Sequence, residues 1–378
     1  AFENARTRLE ALLKIQPNNL ELLTLAGANT FWLGQLAYDQ NDHQATEQMF
    51  KKYHAYSKKM YVLAANDFNS IMELSYSSNS LGSLYIEKSN YSAAKKNFAE
   101  SLLLKNKALK LKPNNKDLLR DKSDTISWLA KTEEKLSNFN EAVNILEGAV
   151  DVITKLIADY PSDASLFYTS ANLYMQQSYL LSYLSDKRMA HKKASLANQV
   201  INEALVQDPK NNKFQLMYYR SLAHSLMLST DEATDSTIEK IINFLKSQNF
   251  KNTSTINTQI TLIQYFINRQ SPLKAQELLT ELENNENYKH QLASLTKTGD
   301  YLVYTRINLI KANLATTNKQ REQFCLSAIK AISEAAKISQ SVKITYPLVQ
   351  AYTCLNREDE ISEIKTSLVK LGITNFQL

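Results

Sequence analysis

Glycine and proline are scarce in this 378-residue chain, at six residues each, and only two cysteines occur. Six glycines is about a quarter of the ordinary usage of roughly 7%, too few turn formers for a sheet protein with many hairpins. Collagen-like, low-complexity and disulfide-framework chains each need more Gly, Pro or Cys than this. Charge of one sign is also lacking: 44 Lys and Arg stand against 38 Asp and Glu, a net charge of +6. That excess is mild and spread out, and no nucleic-acid partner is expected from it. With 44% hydrophobic residues there is ample material for a core, and the absences leave an all-α fold as the default.

The densest basic stretch is Lys105, Lys107, Lys110, Lys112, Lys116, Arg120 and Lys122. Its spacings distribute the charges around a helix, as on a solvated face. Cys325 and Cys354 lie 29 residues apart, with no further Cys or His at metal-ligand spacing. No metal or cofactor site is expected from them. They pair only if the helices carrying them touch, and free buried thiols are the commoner outcome. The longest uncharged run, 164–185, has the length of a membrane span but carries eight polar side chains among its 22 residues, so no membrane insertion is expected of it. The five histidines, His43, His54, His191, His224 and His290, have no Asp or Cys at motif spacing, and no HExxH, GxSxG, Walker or GxGxxG string occurs. Catalysis needs converging nucleophile, base and charge stabiliser; no catalytic residue is nominated and the chain reads as a non-enzyme.

What the chain does have is a period. Pro17, Pro113, Pro161 and Pro209 are separated by 96, 48 and 48 residues, and each opens a polar turn such as Pro113-Asn114-Asn115. Proline cannot continue the preceding helix, and Asn or Asp then caps the next. Leu33-Gly34, Leu81-Gly82 and Leu129-Ala130 recur at the same step, as do Thr46, Ala94, Ala142 and Ala190, then Phe50, Phe98 and Leu146. Trp32 and Trp128 stand at twice that step beside the Leu column, with the character of core residues. Asn41-Asp42, Ser89-Asn90 and Ser137-Asn138 mark the short turns between two helices. One 48-residue unit is therefore a helical hairpin, its small residues letting the backbones approach.

These columns resemble the tetratricopeptide repeat, most closely over Leu81, Gly82, Tyr85, Ala94 and Phe98. The resemblance implies a right-handed superhelix of antiparallel hairpins with unusually long second helices. It covers residues 1–230 as an array that starts mid-repeat, with Phe2 and Ala5 in the place of Phe50 and Tyr53, so that a further segment is expected to precede it. Residues 231–378 lose the register and read as degenerate hairpins that cap the array; Ser271-Pro272 opens a capped helix, and Tyr301–Ala315, Phe324–Ile338 and Ile361–Leu371 carry helical apolar spacing. The variety resembles long-repeat arrays found C-terminal to bacterial signalling modules, kinase-like ones among them. That implies an extracytoplasmic location if a membrane helix lies upstream and a cytoplasmic one otherwise.

The family's concave wall, placed on this sequence, comprises Phe31, Gln35 and Tyr38; Tyr76, Asn79 and Ser83; Ser127, Lys131 and Glu134; and Asn172, Met175, Tyr179 and Ser182. Of the Lys and Asn pattern with which the family clamps a peptide carboxylate, only Asn79 and Lys131 have counterparts. The expected role is a protein-interaction or sensory scaffold for a peptide or protein partner, as a monomer or weak dimer, with self-association as the alternative.

Overall fold

The computed structural model describes residues 1–229, 234–248, 253–293, 295, 298–338 and 341–374. No strand occurs among the described residues, and ten helices follow the repeat: α1 (Phe2–Ile15), α2 (Leu20–Asp39), α3 (His43–Leu63), α4 (Phe68–Glu87), α5 (Tyr91–Leu111), α6 (Lys116–Lys135), α7 (Phe139–Asp159), α8 (Ala164–Tyr183), α9 (Lys187–Gln207) and α10 (Asn212–Leu228). The second helices of the hairpins, α3, α5, α7 and α9, run 21 residues and the first helices, α2, α4, α6 and α8, run 20. The 48-residue unit is thus divided almost evenly.

Each start is set by a cap. Asn19, Asp67, Asn115, Asp163 and Asn211, every one 48 residues after the last, accept a backbone N–H from two or three residues further on. Asp42, Asn90 and Asp186 do the same for second helices. Such a cap is worth roughly 1 kcal/mol. Each short turn holds one residue in the left-handed region, Asn41, Ser89, Ser137 or Ser185, with φ between 56° and 67°. The next residue's N–H then reaches back five positions, from Asp42 to the Ala37 carbonyl (2.9 Å), Asn90 to Tyr85 (2.8 Å), Asn138 to Glu133 (2.8 Å) and Asp186 to Leu181 (3.0 Å). This closure satisfies carbonyls that a helix end would otherwise orphan. Glycine is its usual occupant; here Asn and Ser take the strained position, which is how a glycine-poor chain still turns.

Within a hairpin, size complements size. A Cβ at Gly34 would lie 2.6 Å from the Phe50 ring, and one at Gly82 would lie 2.9 Å from Phe98. At the same register Ala130 stands where the facing column holds Leu146, and Ser178 where it holds Ala194; all four are buried. Ser178 further ties its hairpin by donating to the Ala190 carbonyl at 2.6 Å.

The chain forms two compact units, Ala1–Leu156 and Ile157–Leu378. In the first, Ile71, Leu74, Leu104, Ala108 and Leu118 bind α4, α5 and α6 together. In the second, Met175, Ala194, Ala197, Ile201 and Met217 do so for α8, α9 and α10. The second unit continues with α11 (Asp235–Gln248), α12 (Thr253–Asn268), α13 (Pro272–Asn284), α14 (Glu286–Ala293), α15 (Thr298–Leu314), α16 (Asn318–Ile338), α17 (Val342–Cys354), a 3₁₀ turn (Glu358–Ile361) and α18 (Ser362–Lys370). The division expected at 230/231 falls on residues 230–233, outside the described residues.

The turn chemistry persists after the register is lost. Gln270 (φ 54°) and Asn356 (φ 56°) adopt the left-handed conformation, and Ser271 N–H reaches Phe266 (2.9 Å) as Arg357 N–H reaches Tyr352 (3.1 Å). Ser271 does not cap α13 as its sequence suggests: its hydroxyl donates to the Arg269 carbonyl at 3.4 Å, and the helix starts on Pro272, whose fixed φ suits the first turn. The cysteines also depart from expectation. Cys325 on α16 and Cys354 on α17 are joined as a disulfide, with Cα atoms 6.1 Å apart, because these two helices pack directly.

The close approach at Gly34 yields a direct test. Alanine is the better helix former by about 1 kcal/mol, yet Gly34→Ala is expected to destabilise by about 1–3 kcal/mol in urea unfolding, since the ring of Phe50 must give way. Adding Phe50→Leu should recover part of that loss, and strict additivity of the two changes would contradict the packing.

Candidate functional site

Residues 28, 32 and 35 of α2 share one helical face, and stepping by 48 carries that face to Tyr76, Ser80 and Ser83 on α4 and to Asp124, Trp128 and Lys131 on α6. None of these nine positions is buried. Trp32 is 52% exposed and Trp128 38% exposed, which overturns their reading as core residues. Phe31, expected on the wall, turns inward instead and packs its ring on Phe50 (centroids 6.0 Å apart) and Tyr53 (5.7 Å). Trp128 lies parallel to Phe98 at 6.0 Å, and the Lys131 ammonium sits 4.4 Å from the Trp128 ring centre. The face thus presents indole rings backed by the core and flanked by a cation.

Several side chains assigned to the wall are occupied in joining neighbouring first helices. Tyr38 donates to the Glu87 carboxylate at 2.6 Å, and this bond raises the Tyr38 pKa to about 12. Tyr76 donates to Asp121 at 3.1 Å; burial first and then Asp121 raise its pKa to about 12. Asn79 donates to the Thr125 hydroxyl at 3.1 Å. Gln35 bonds Asp39 on its own helix at 2.9 Å, while Ser83 and Glu134 are half-buried. The first unit therefore brings Tyr38, Tyr76 and Asn79 into lateral ties and leaves the indoles and Lys131 as the outward groups. The tryptophans' shared register was the signal that identifies the outward face.

Beneath Tyr76 lies a residue the basic stretch concealed. Lys105 is only 1% exposed, not solvated; its ammonium donates to the Asp121 carbonyl (3.0 Å) and to the Thr125 hydroxyl (2.6 Å). Burial lowers its pKa to about 8, against the opposing pull of Asp121 and Asp124. Because the folded value lies below the ordinary 10.5, the unfolded chain holds the extra proton between about pH 8 and 10.5, and stability rises with pH through that window. Relative to Lys105→Met, the wild type should gain on the order of 3 kcal/mol as pH rises through it. A difference between the two that stays flat with pH would rule out a charged, desolvated Lys105.

In the second unit the corresponding face holds Asn172, Gln176 and Tyr179 on α8 and Arg220, His224 and Met227 on α10. Asn172 is half-buried, Ser182 donates to the Ser178 carbonyl at 2.9 Å, and Met175 is buried rather than on the wall. The Tyr179 ring lies 4.4 Å from that of His224. His224 is 3% exposed, and its Nε2 sits 3.1 Å from the Ser178 hydroxyl. Since Ser178 spends its own proton on Ala190, the imidazole donates from Nε2. Burial, then Arg220 and Arg306, push the His224 pKa down to about 3, so the ring is neutral. This buried Ser and neutral His have no acidic partner and make no nucleophile. Among the described residues no three His, Cys, Asp or Glu side chains gather as a metal site would require, and no helix is long and apolar enough to cross a membrane.

No known family's pattern matches the chain, and no curated relative does. Solved structures share its helical repeat architecture at low identity. A tetratricopeptide repeat protein from Parabacteroides merdae is 14% identical, with 92% of this chain and 99% of that one covered at a TM-score of 0.46. A circular tandem repeat protein with a novel repeat topology is 11% identical (98% and 86% covered, TM-score 0.33). The human IFIT1 dimer with PPP-AAAA is 13% identical (98% and 94% covered, TM-score 0.27). The hairpins are tetratricopeptide-like, and functional argument rests on this chain's own surfaces.

Proposed function

We propose that the chain is a non-catalytic interaction scaffold whose first unit binds a peptide or protein segment on the face formed by α2, α4 and α6. The observation that carries this reading is the pair of exposed indoles, Trp32 and Trp128, at one register of the first helices, with Lys131 beside the second. Aromatic residues of this kind supply large contact area at low entropy cost and dominate binding energies. The rings are held by packing on Phe31 and Phe98, so little order has to be created on binding.

The resemblance to arrays attached to bacterial signalling modules supports a sensory role within a larger protein. The Cys325–Cys354 disulfide supports an extracytoplasmic setting, where such bonds persist. Titration of thiols in the denatured protein, isolated without reductant from its native host, should then find none, and two after reduction; two free thiols at the outset would argue for the cytoplasm.

Trp32 and Trp128 are the only tryptophans, so intrinsic emission reports this face alone. Peptides selected for binding from a displayed random library should shift the emission to the blue, and Trp128→Ser should weaken them at least about tenfold, a loss ordinary for an aromatic anchor. Binding that leaves emission unchanged would place the ligand elsewhere. A blue shift driven by protein concentration alone, with a doubling of mass in light scattering, would identify a second copy as the partner.

A further inference from the structure

The second unit carries positive charge that nothing in it balances. Arg220 and His224 lie one helical turn apart on α10, Arg306 reaches in from α15, and Tyr179 of α8 packs on the imidazole. Arg306 places Nη1 2.9 Å from the Asn257 carbonyl oxygen of α12. The Nε of Arg220 is buried without a hydrogen-bond partner. Among the described residues neither arginine forms an ion pair, although both act on His224, and the groups felt by Arg306 are the hydroxyls of Tyr183 and Tyr179 rather than any carboxylate. Tyr183 in turn meets Tyr346 of α17, rings perpendicular at 5.8 Å, so that helices from the end of the unit come up against α8. Withdrawing two guanidinium groups from water beside each other costs several kcal/mol unless an anion compensates. A neutral histidine cannot supply one.

We infer that this face of the second unit is a binding site for an oxyanion, the carboxylate or phosphate group of a ligand, seated on Arg220 and Arg306 and walled by Tyr179 and His224. A guanidinium offers five N–H donors in a planar fork that fits either group, and Arg306 commits one of its own to Asn257. Arg220 holds its Nε in reserve. His224 keeps its Nε2 proton on Ser178 and stays uncharged, so it lines the site without repelling a cationic neighbour. The tyrosine beside it offers a ring to the part of the ligand that carries the anion. The site stands apart from the indole face of the first unit, and either reading can fail without the other.

The test is thermal unfolding of the full chain in chloride, with inorganic phosphate and acetate added in separate series at matched ionic strength. A ligand that binds only the folded state raises the melting temperature with the logarithm of its concentration. Phosphate alone, acetate alone or both producing that rise would support the site and say which oxyanion it prefers. The Arg220→Gln/Arg306→Gln variant should lose the response by at least about tenfold in concentration, a charge-assisted pair being worth that much. In chloride alone the variant should melt at or above the wild type, since an uncompensated charge pair has been removed. Tryptophan emission should not change on adding either anion, both indoles lying in the first unit. No rise with either anion beyond chloride overturns the inference whatever the variant does. So does an unaltered response in the variant, or a variant that melts well below the wild type in chloride, which would make the arginines structural.

Discussion

The distance between the two helices of a hairpin is the constraint on which the rest depends. Gly34 against Phe50 and Gly82 against Phe98 bring the backbones together by letting a ring fill the space a side chain would take. Where the facing residue shrinks to Leu146 or Ala194, its partner grows to Ala130 or Ser178. Volume is conserved across the pair, which is what close packing requires. Hairpins of equal thickness then place residues about 48 apart side by side. Tyr38 meets Glu87, Asn79 meets Thr125 and Ser178 meets His224, with sequence separations of 49, 46 and 46. The lateral bonds and the outward faces are both consequences of that one spacing.

Much of this was legible in the residues because it is local. Caps at Asn19, Asp67 or Asn115 act within three positions, and the turns at Asn41, Ser89 and Ser137 close within five. Orientation about the helix axis was harder to read. Phe31 and Trp32 are both large and aromatic, and hydropathy does not say which turns inward; the Phe50 and Tyr53 rings decide it by receiving Phe31. Lys105 was hidden for a different reason. Its acceptors, at Asp121 and Thr125, are 16 and 20 residues away on the next helix, so only the assembled hairpins reveal that a basic stretch contains a buried ammonium. Arg306 lies beyond the repeat, where no register predicts its neighbours, and the disulfide depended on α16 and α17 touching.

The two units handle buried cations in opposite ways. In the first, the ammonium of Lys105 is met by a carbonyl and a hydroxyl, with Asp121 and Asp124 nearby, so the charge is carried at moderate cost. In the second, Arg220 and Arg306 face a histidine that burial keeps neutral. Local repeat chemistry explains the first arrangement, where Thr125 belongs to the same column as Asn29 and Ser77. The second is built from helices outside the 48-residue step, and its residues serve no packing column.

Repeat arrays fray from their ends because each terminal hairpin has one neighbour instead of two. The Cys325–Cys354 bond changes that for this chain. A pull on the C-terminus would first strip α18 and the 3₁₀ turn and then reach Cys354, where the load passes through the covalent bridge to Cys325 and bypasses most of α17. The segment between the two cysteines is shielded from tension, and α16 becomes the next element to bear force. Such a clasp sets a mechanical boundary within the second unit, holding the last long helices together under load.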